Sequence, residues 1–398
     1  MIPELRSQYN AAFTQARYEA FIEDMVQRYE HRPSFSVAET PVFIPTDLRD
    51  RLVAACDDVC ALFLRPDFKA LSEGALQPGQ IVSNESEHSE FFVIDFGICR
   101  DENGNLVPQL VEAQGFPSLF CYQHVLAELY KKHFDAIPSH YTHLFNGLDA
   151  ESYRDVLRRV IVADSKPENV ILLEIEPEKQ TTAIDFYATR EMLGIPFVCL
   201  TKLKKEGRTL YYTNENGRKI EVERIYNRII FDDLMARPDL ESEFHLTDDV
   251  DVQWAGHPNW FFRISKHTLP LFDSPYVPKS YYLDKLTTIP DDLENYVLKP
   301  LFSFAGMGVL VNPTREDIEK VQDPANYILQ RKMHYAPAVP TLDDPAKVEI
   351  RMMMVWEKGA PKPVLVNNLV RLSKGIMTGV RYNKDRTWVG GSIGFFEP

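Results

Sequence analysis

Two acids stand inside apolar sequence where an isolated charge is costly. Asp95 interrupts the run Phe91–Cys99, and Glu112 interrupts Leu106–Ala113. A carboxylate in such a strand needs a charged partner or a metal. The turn residues Asp101–Gly104 fold the two runs into a hairpin, so that both acids can share one face. Gln114 lies two residues beyond Glu112 and so on the same side. Two carboxylates and an amide oxygen make an all-oxygen set that suits Mg²⁺, with phosphates completing the shell. The same pattern also describes two solvent-facing acids on an exposed sheet.

A second stretch suits an anion. Tyr296–Leu298 and Val309–Val311 read as short strands around Ser303, Ala305, Gly306 and Gly308, whose small side chains let a backbone approach a phosphate closely. Lys299 ends the first strand, where its point charge could reach a phosphate oxygen. The order GxxxxGK[ST] is missing and no GxGxxG joins a strand to a helix, so this is neither a P-loop nor a dinucleotide fingerprint. It reads as a glycine loop over phosphates, or else as a hairpin with a solvated lysine. Arg351 and Arg371 each stand in an apolar strand, and a planar, always-charged donor there needs a partner such as phosphate. Arg228, beside Asn227, fits a substrate contact or a structural hydrogen-bond pair equally well. Tyr327–Met333 has the shape of a strand leaving a nucleotide pocket, with backbone groups open to an adenine edge.

The elements that must position these residues change character along the chain. Helical spacing covers Arg6–Tyr29 and Pro45–Phe63, with Thr46 as the expected N-cap of the second. Cys56 and Cys60 fall on its apolar stripe and read as core. Tyr122–His133 and residues 151–163 are further helices, and their neighbourhood's histidines (His124, His133, His140, His143) form no ligand pattern. From Asn169 the rhythm becomes strand (Val170–Ile175), helix (Thr181–Leu193, ended by Gly194) and strand (Ile195–Leu200), a small parallel α/β unit. A hairpin follows around Asn214–Gly217, then a connector, Trp254–Pro278, carrying Lys266. The chain has 398 residues, 44% hydrophobic and 26% charged, which is enough for a large core. Its net charge of −14 argues against a general nucleic-acid binder, which carries a basic face. Five cysteines without a CxxC pair suggest neither disulfide framework nor zinc. With no signal-type h-region and no apolar run near 18 residues, no membrane partner is expected and the cytoplasm is the expected compartment.

The order of the segments "VIDFG…PQLVEAQGFPSL", "IYNRIIFDD", "YVLKPLFSFAGMGV", "YILQRKM", "EIRMMMVW" and "LVNNLVRLSKG…WVGGSIG" resembles the circularly permuted ATP-grasp proteins, the group of glutathionylspermidine synthase, over most of residues 90–394. The resemblance implies a mixed α+β and α/β fold: a helical region (1–90), a metal-ligand strand pair (91–165), a small parallel α/β domain on the substrate side (166–255) and a nucleotide-binding domain (256–398). It implies an ATP- and Mg²⁺-dependent ligase joining a small-molecule carboxylate to an amine through an acyl phosphate, or an ATP-binding regulatory or assembly protein without ligase activity. Asp95, Glu112 and Gln114 match the Mg²⁺ ligands. Lys299 and Lys266 match phosphate-binding lysines, Ser303–Gly308 the glycine loop, and Gln330, Lys332 and Met333 the adenine hinge. Arg371 and Arg351 match the γ-phosphate arginine, while Arg228 and Arg351 are candidates for the substrate carboxylate. Gln114 stands where the group has Asn, and the loop is poorer in glycine. The resemblance covers the synthetase part alone, so an amidase domain and its hydrolase activity are not expected.

Overall fold

The helical run Arg6–Tyr29 is broken into α1 (Pro3–Ala12) and α2 (Gln15–Tyr29). Thr14 leaves helical geometry, and its side chain accepts from the Arg17 N–H as an N-cap. In α3 (Thr46–Phe63) the cap position belongs to Pro45 rather than Thr46, and no side chain caps it. Cys56 and Cys60 are buried in the core on the α3 stripe, and burial pushes the Cys60 thiol up to about 12. The computed structural model describes residues 1–302, 307–375, 383 and 385–398, so Ser303, Ala305 and Gly306 of the expected glycine loop lie outside it.

Strands β1 (Phe91–Arg100) and β2 (Leu106–Gln114) form the hairpin that the turn residues predict. After α4 (Phe120–His133) and α5 (Ala150–Ile161) come β3 (Val170–Glu174), α6 (Ala183–Leu193), β4 (Phe197–Cys199), β5 (Arg224–Asn227) and β6 (Gln253–Ala255). The four strands make a parallel sheet in the order β6-β5-β3-β4. Gly194 ends α6 at φ +75°, a left-handed conformation that glycine adopts at little cost. Past the Asn214–Gly217 turn, Lys219–Val222 pairs with Thr209–Thr213 as the expected hairpin, and Arg224–Asn227 crosses into the parallel sheet.

A second sheet, antiparallel, contains β7 (Ser280–Tyr282), β8 (Tyr296–Pro300), β9 (Leu310–Val311) and β10 (Tyr327–Arg331), ordered β7-β10-β8-β9. Finally β11 (Lys347–Val355), β12 (Val364–Ser373) and β13 (Gly390–Ser392) add to the early hairpin, giving an antiparallel sheet β13-β12-β11-β1-β2. β11 therefore joins the first third of the chain to the last. One face of this sheet is apolar throughout: Phe92, Ile94, Phe96, Ile350, Met352 and Met354 share a core with the α3 stripe. The other face is divided. Phe91, Val93, Met353 and Val355 pack in a core with α4, while Asp95, Glu349, Arg351 and Arg371 continue the same face. Among the described residues no helix is long and apolar enough to cross a membrane.

The parallel sheet is tied to α6 by a buried ion pair. Arg228, one residue past β5, donates to Asp185 at 2.7 Å, and the two side chains are 3% and 0% exposed. Asp185 also accepts from the Leu119 and Tyr122 N–H groups, and the guanidinium lies over the rings of Phe116 and Phe186. Removing one partner of such a pair leaves a buried charge uncompensated. Asp185→Ala should therefore lower unfolding stability by about 3–5 kcal/mol in a urea titration. A loss below about 1 kcal/mol would show that the pair does not hold α6 to the sheet.

A carboxylate–arginine cluster as candidate functional site

Register places the chemistry on one surface. Asp95 lies opposite Glu112 on one side and opposite Arg351 on the other, so three strands present these side chains abreast. Two residues along β11, Glu349 lies opposite Arg371 of β12 and opposite Gly97 of β1. A Cβ at Gly97 would stand 2.7 Å from the Tyr335 ring and 2.8 Å from the Met333 sulfur. The glycine thus lets Tyr335 lie against the strand and donate its hydroxyl to Glu349 Oε2 at 3.1 Å.

The centre of the cluster is the Asp95 carboxylate, which is fully buried. Arg351 grips it with both arms of the guanidinium, Nε to Oδ1 and Nη2 to Oδ2, each at 2.7 Å. Arg371 Nη2 adds a third bond to Oδ2 at 3.1 Å, and its Nη1 donates to Glu349. Arg351 Nη2 also donates to Gln114 Oε1 at 3.0 Å, and Gln114 Nε2 donates to Glu112 Oε1 at 2.8 Å. Burial alone would raise the Asp95 pKa, but the charges and bonds of Arg351 and Arg371 outweigh it and hold the carboxyl below its ordinary range. Glu349 goes the other way: burial raises it, Asp95 and Glu112 push in the same direction, and Arg371 offsets only part. Arg371 is held charged, because Asp95, Glu349 and Glu112 overcome its desolvation.

Two lysines face the cluster. Lys266, the first residue of the 3-10 helix Lys266–Leu271 that follows helix Pro258–Arg263, stands 3.4 Å from Glu112 Oε2. Lys299, on β8, donates to the Val111 carbonyl at 3.3 Å. That carbonyl is free for it because the ladder skips Val111: Asp95 pairs with Glu112 but Phe96 pairs with Leu110, a β-bulge. Burial pushes the Lys299 ammonium down to about 8, with Lys266 acting in the same direction and Glu112 and Glu349 opposing. Gln330 shares the inner face of that sheet, since it pairs with Val297, two residues from Lys299. It is 1% exposed, and its Nε2 has no hydrogen-bond partner among the described residues. Gly308 adopts φ +69° at the foot of the loop, and a Cβ there would sit 3.1 Å from the Pro300 ring.

Several expected residues are placed elsewhere or differently engaged. Arg228 is not part of this cluster, because it follows the C-terminal end of β5 and turns onto Asp185. Lys332 Nζ is spent on the Glu294 carbonyl and Asn312 Oδ1, both at 2.6 Å. The N–H groups of Arg331 and Lys332, expected to be open to an adenine, donate to the carbonyls of Lys279 and Asn295. Met333 packs against β1 through its sulfur, as the space above Gly97 requires. Glu349 and Tyr335 were not anticipated. Glu349 could have been found, because it lies two residues before Arg351 and strand periodicity puts both on one face.

The expected Mg²⁺ ligands do not fit a cation as they stand. Both Asp95 oxygens and Gln114 Oε1 accept from guanidinium groups, and no group of three His, Cys, Asp or Glu suited to a metal exists among the described residues. Lys299 and Lys266 stand beside these acids, and the Gln330 amide, on the Lys299 face of its sheet, is an unpartnered donor among the described residues. The cavity now present beside Glu112, Gln114, Lys266 and Phe302 is only about 20 Å³, room for roughly one water. A wider cleft, about 720 Å³, opens at α2 between Tyr18, Ile22, Arg32, Phe35 and Arg386, and no residue of the cluster lines it.

The sequence matches no family model and no curated protein. In three dimensions the chain is similar to a glutathione synthetase-like effector (GSS30) from Globodera pallida, with a TM-score of 0.59 over 98% of each chain. The fold is glutathione synthetase-like. At 12% identity the likeness extends to that fold and not to any activity. Within this glutathione synthetase-like fold, Lys299 carries a measurable signature. Its pKa lies below the ordinary 10.5, so between about 8 and 10.5 the unfolded chain binds more protons than the folded one and stability should rise with pH. Lys299→Met should consequently be at least as stable as the parent protein at pH 7, with the advantage shrinking as pH rises through this window. Chemical denaturation at pH 7 and pH 10 checks it, and a variant markedly less stable at pH 7 would contradict the buried-ammonium account.

Proposed function

We propose that this chain is a circularly permuted ATP-grasp ligase that activates a small carboxylate with ATP and joins it to an amine. The observation that carries this reading is the meeting of Lys299 and Lys266 with Arg351 and Arg371 on one sheet face, from segments far apart in sequence. Phosphoryl transfer needs positioning and charge neutralisation more than covalent help. In this reading Lys299 and Lys266 hold phosphate oxygens, and Gln330 offers its amide to the nucleotide. Arg371, about a third exposed, faces the transferring group. A substrate carboxylate oxygen attacks the γ-phosphorus as the bond to ADP breaks, and the amine then displaces phosphate from the acyl phosphate. These steps place no magnesium on Asp95 or Gln114, whose oxygens are engaged with arginine.

The engagement of Asp95 favours a second reading, an ATP-binding regulatory or assembly protein without ligase activity. A screen of amino acids, polyamines and short peptides for ADP release separates the two: release that needs both an acid and an amine supports the ligase. Binding without release under every pair supports the second reading. Under either, Lys299→Met should weaken ATP by about 1.5–3 kcal/mol in calorimetry, the scale of a charged hydrogen bond. Unchanged affinity would remove Lys299 from the nucleotide site.

A further inference from the structure

Arg351 Nη2 bonds to Asp95 Oδ2 at 2.7 Å and to Gln114 Oε1 at 3.0 Å, which is the position between two oxygens that a bridging cation would take. Its Nε takes the remaining oxygen of Asp95, and Arg371 adds a further donor. The chain has thus supplied its own cation to the acids. We propose that this cluster binds its anion without a divalent metal, Arg351 standing in the metal's place. The inference rests on reading the cluster as a ligand site, and it says what that ligand must be: a polyanion of phosphate or carboxylate oxygens, free of metal.

Charge supports it independently of the bond geometry. Among the described residues Lys266, Lys299, Arg351 and Arg371 stand against Asp95, Glu112 and Glu349, and Asp232 also acts on Lys266, so the acids a metal would need are already balanced by the chain's own cations. Acids already neutralised by arginine and lysine offer little to a bare divalent ion, whose entry would itself create an excess of positive charge. A metal at Asp95 would also have to displace the paired bonds of a planar guanidinium, whose fork matches a carboxylate far better than a lysine does. Arg351 holds both oxygens of Asp95 at once. Its release needs a competing anion, which is why the anion, and not the metal, comes first.

The test is calorimetric titration of the whole chain with ATP, with tripolyphosphate and with succinate, each in EDTA and in Mg²⁺. The expected result is that at least one of them binds in EDTA within about threefold of its affinity in Mg²⁺, well inside one power of ten. The succinate and tripolyphosphate arms identify carboxylate or phosphate as the recognised group. Loss of more than about tenfold in EDTA for every binder would overturn the inference while leaving the ATP reading intact. Binding of succinate alone in EDTA would support the inference and remove the ATP reading, and no binding in any arm would end both. Electron spin resonance with Mn²⁺ alone should show no uptake by the parent protein, whereas uptake without anion would contradict the proposal. Arg351→Gln should lose about tenfold or more of the metal-free affinity and begin to retain Mn²⁺. Should that variant not fold, the parent protein's EDTA and Mn²⁺ measurements decide alone.

Discussion

The structure depends on one buried carboxylate and the two arginines that hold it. Asp95 stands on β1, an inner strand of a five-stranded sheet, with no exposure to water, and its charge persists only because Arg351 and Arg371 reach it from the next two strands. A slip of one residue along β11 would turn Arg351 to the opposite face, where Ile350 and Met352 belong to an apolar core. The ion pair and the hydrophobic alternation therefore require the same register. It is this register that brings residue 95 against residues 351 and 371 and fixes where the surrounding charges fall.

The remaining charges are arranged by what that centre leaves over. Glu349 shares Arg371 with Asp95, so its own compensation is incomplete and burial raises its pKa. Glu112 is reached by Gln114 on one oxygen and by Lys266 on the other. The bulge at Val111 releases a carbonyl for Lys299, which joins the antiparallel sheet of β7–β10 to the central sheet without placing a full counter-charge beside the ammonium. The result is a surface on which Asp95, Glu112 and Glu349 each already face a donor from the chain itself, the converse of a metal cage.

Much of this was legible in the residues. The alternation in Phe91–Cys99 and Leu106–Ala113, with the intervening turn, predicts a hairpin with Asp95 and Glu112 on one face, and the strands pair in that way. The interruption of β11 and β12 by arginines marks two donors in need of anions. What the sequence does not state is which anion, because a guanidinium in an apolar strand is satisfied as well by a carboxylate as by a phosphate. Only the pairing of β11 with β1, across some 250 residues, decides in favour of Asp95. Arg228 illustrates the same ambiguity with the opposite result: its partner is Asp185 on α6, a contact between elements that no local pattern links. Thr46 differs for a smaller reason, since a one-residue shift at a helix end leaves the apolar stripe unchanged.

The coupling between Asp95 and Arg351 is the quantity on which this account turns. A double-mutant cycle with Asp95→Asn, Arg351→Gln and the double variant, followed by urea unfolding, measures it directly. The account predicts a coupling energy above about 1.5 kcal/mol, with the double variant much less damaged than the two single losses together imply. Additivity within about 0.5 kcal/mol would contradict it, and would mean that the two residues do not hold one another in solution.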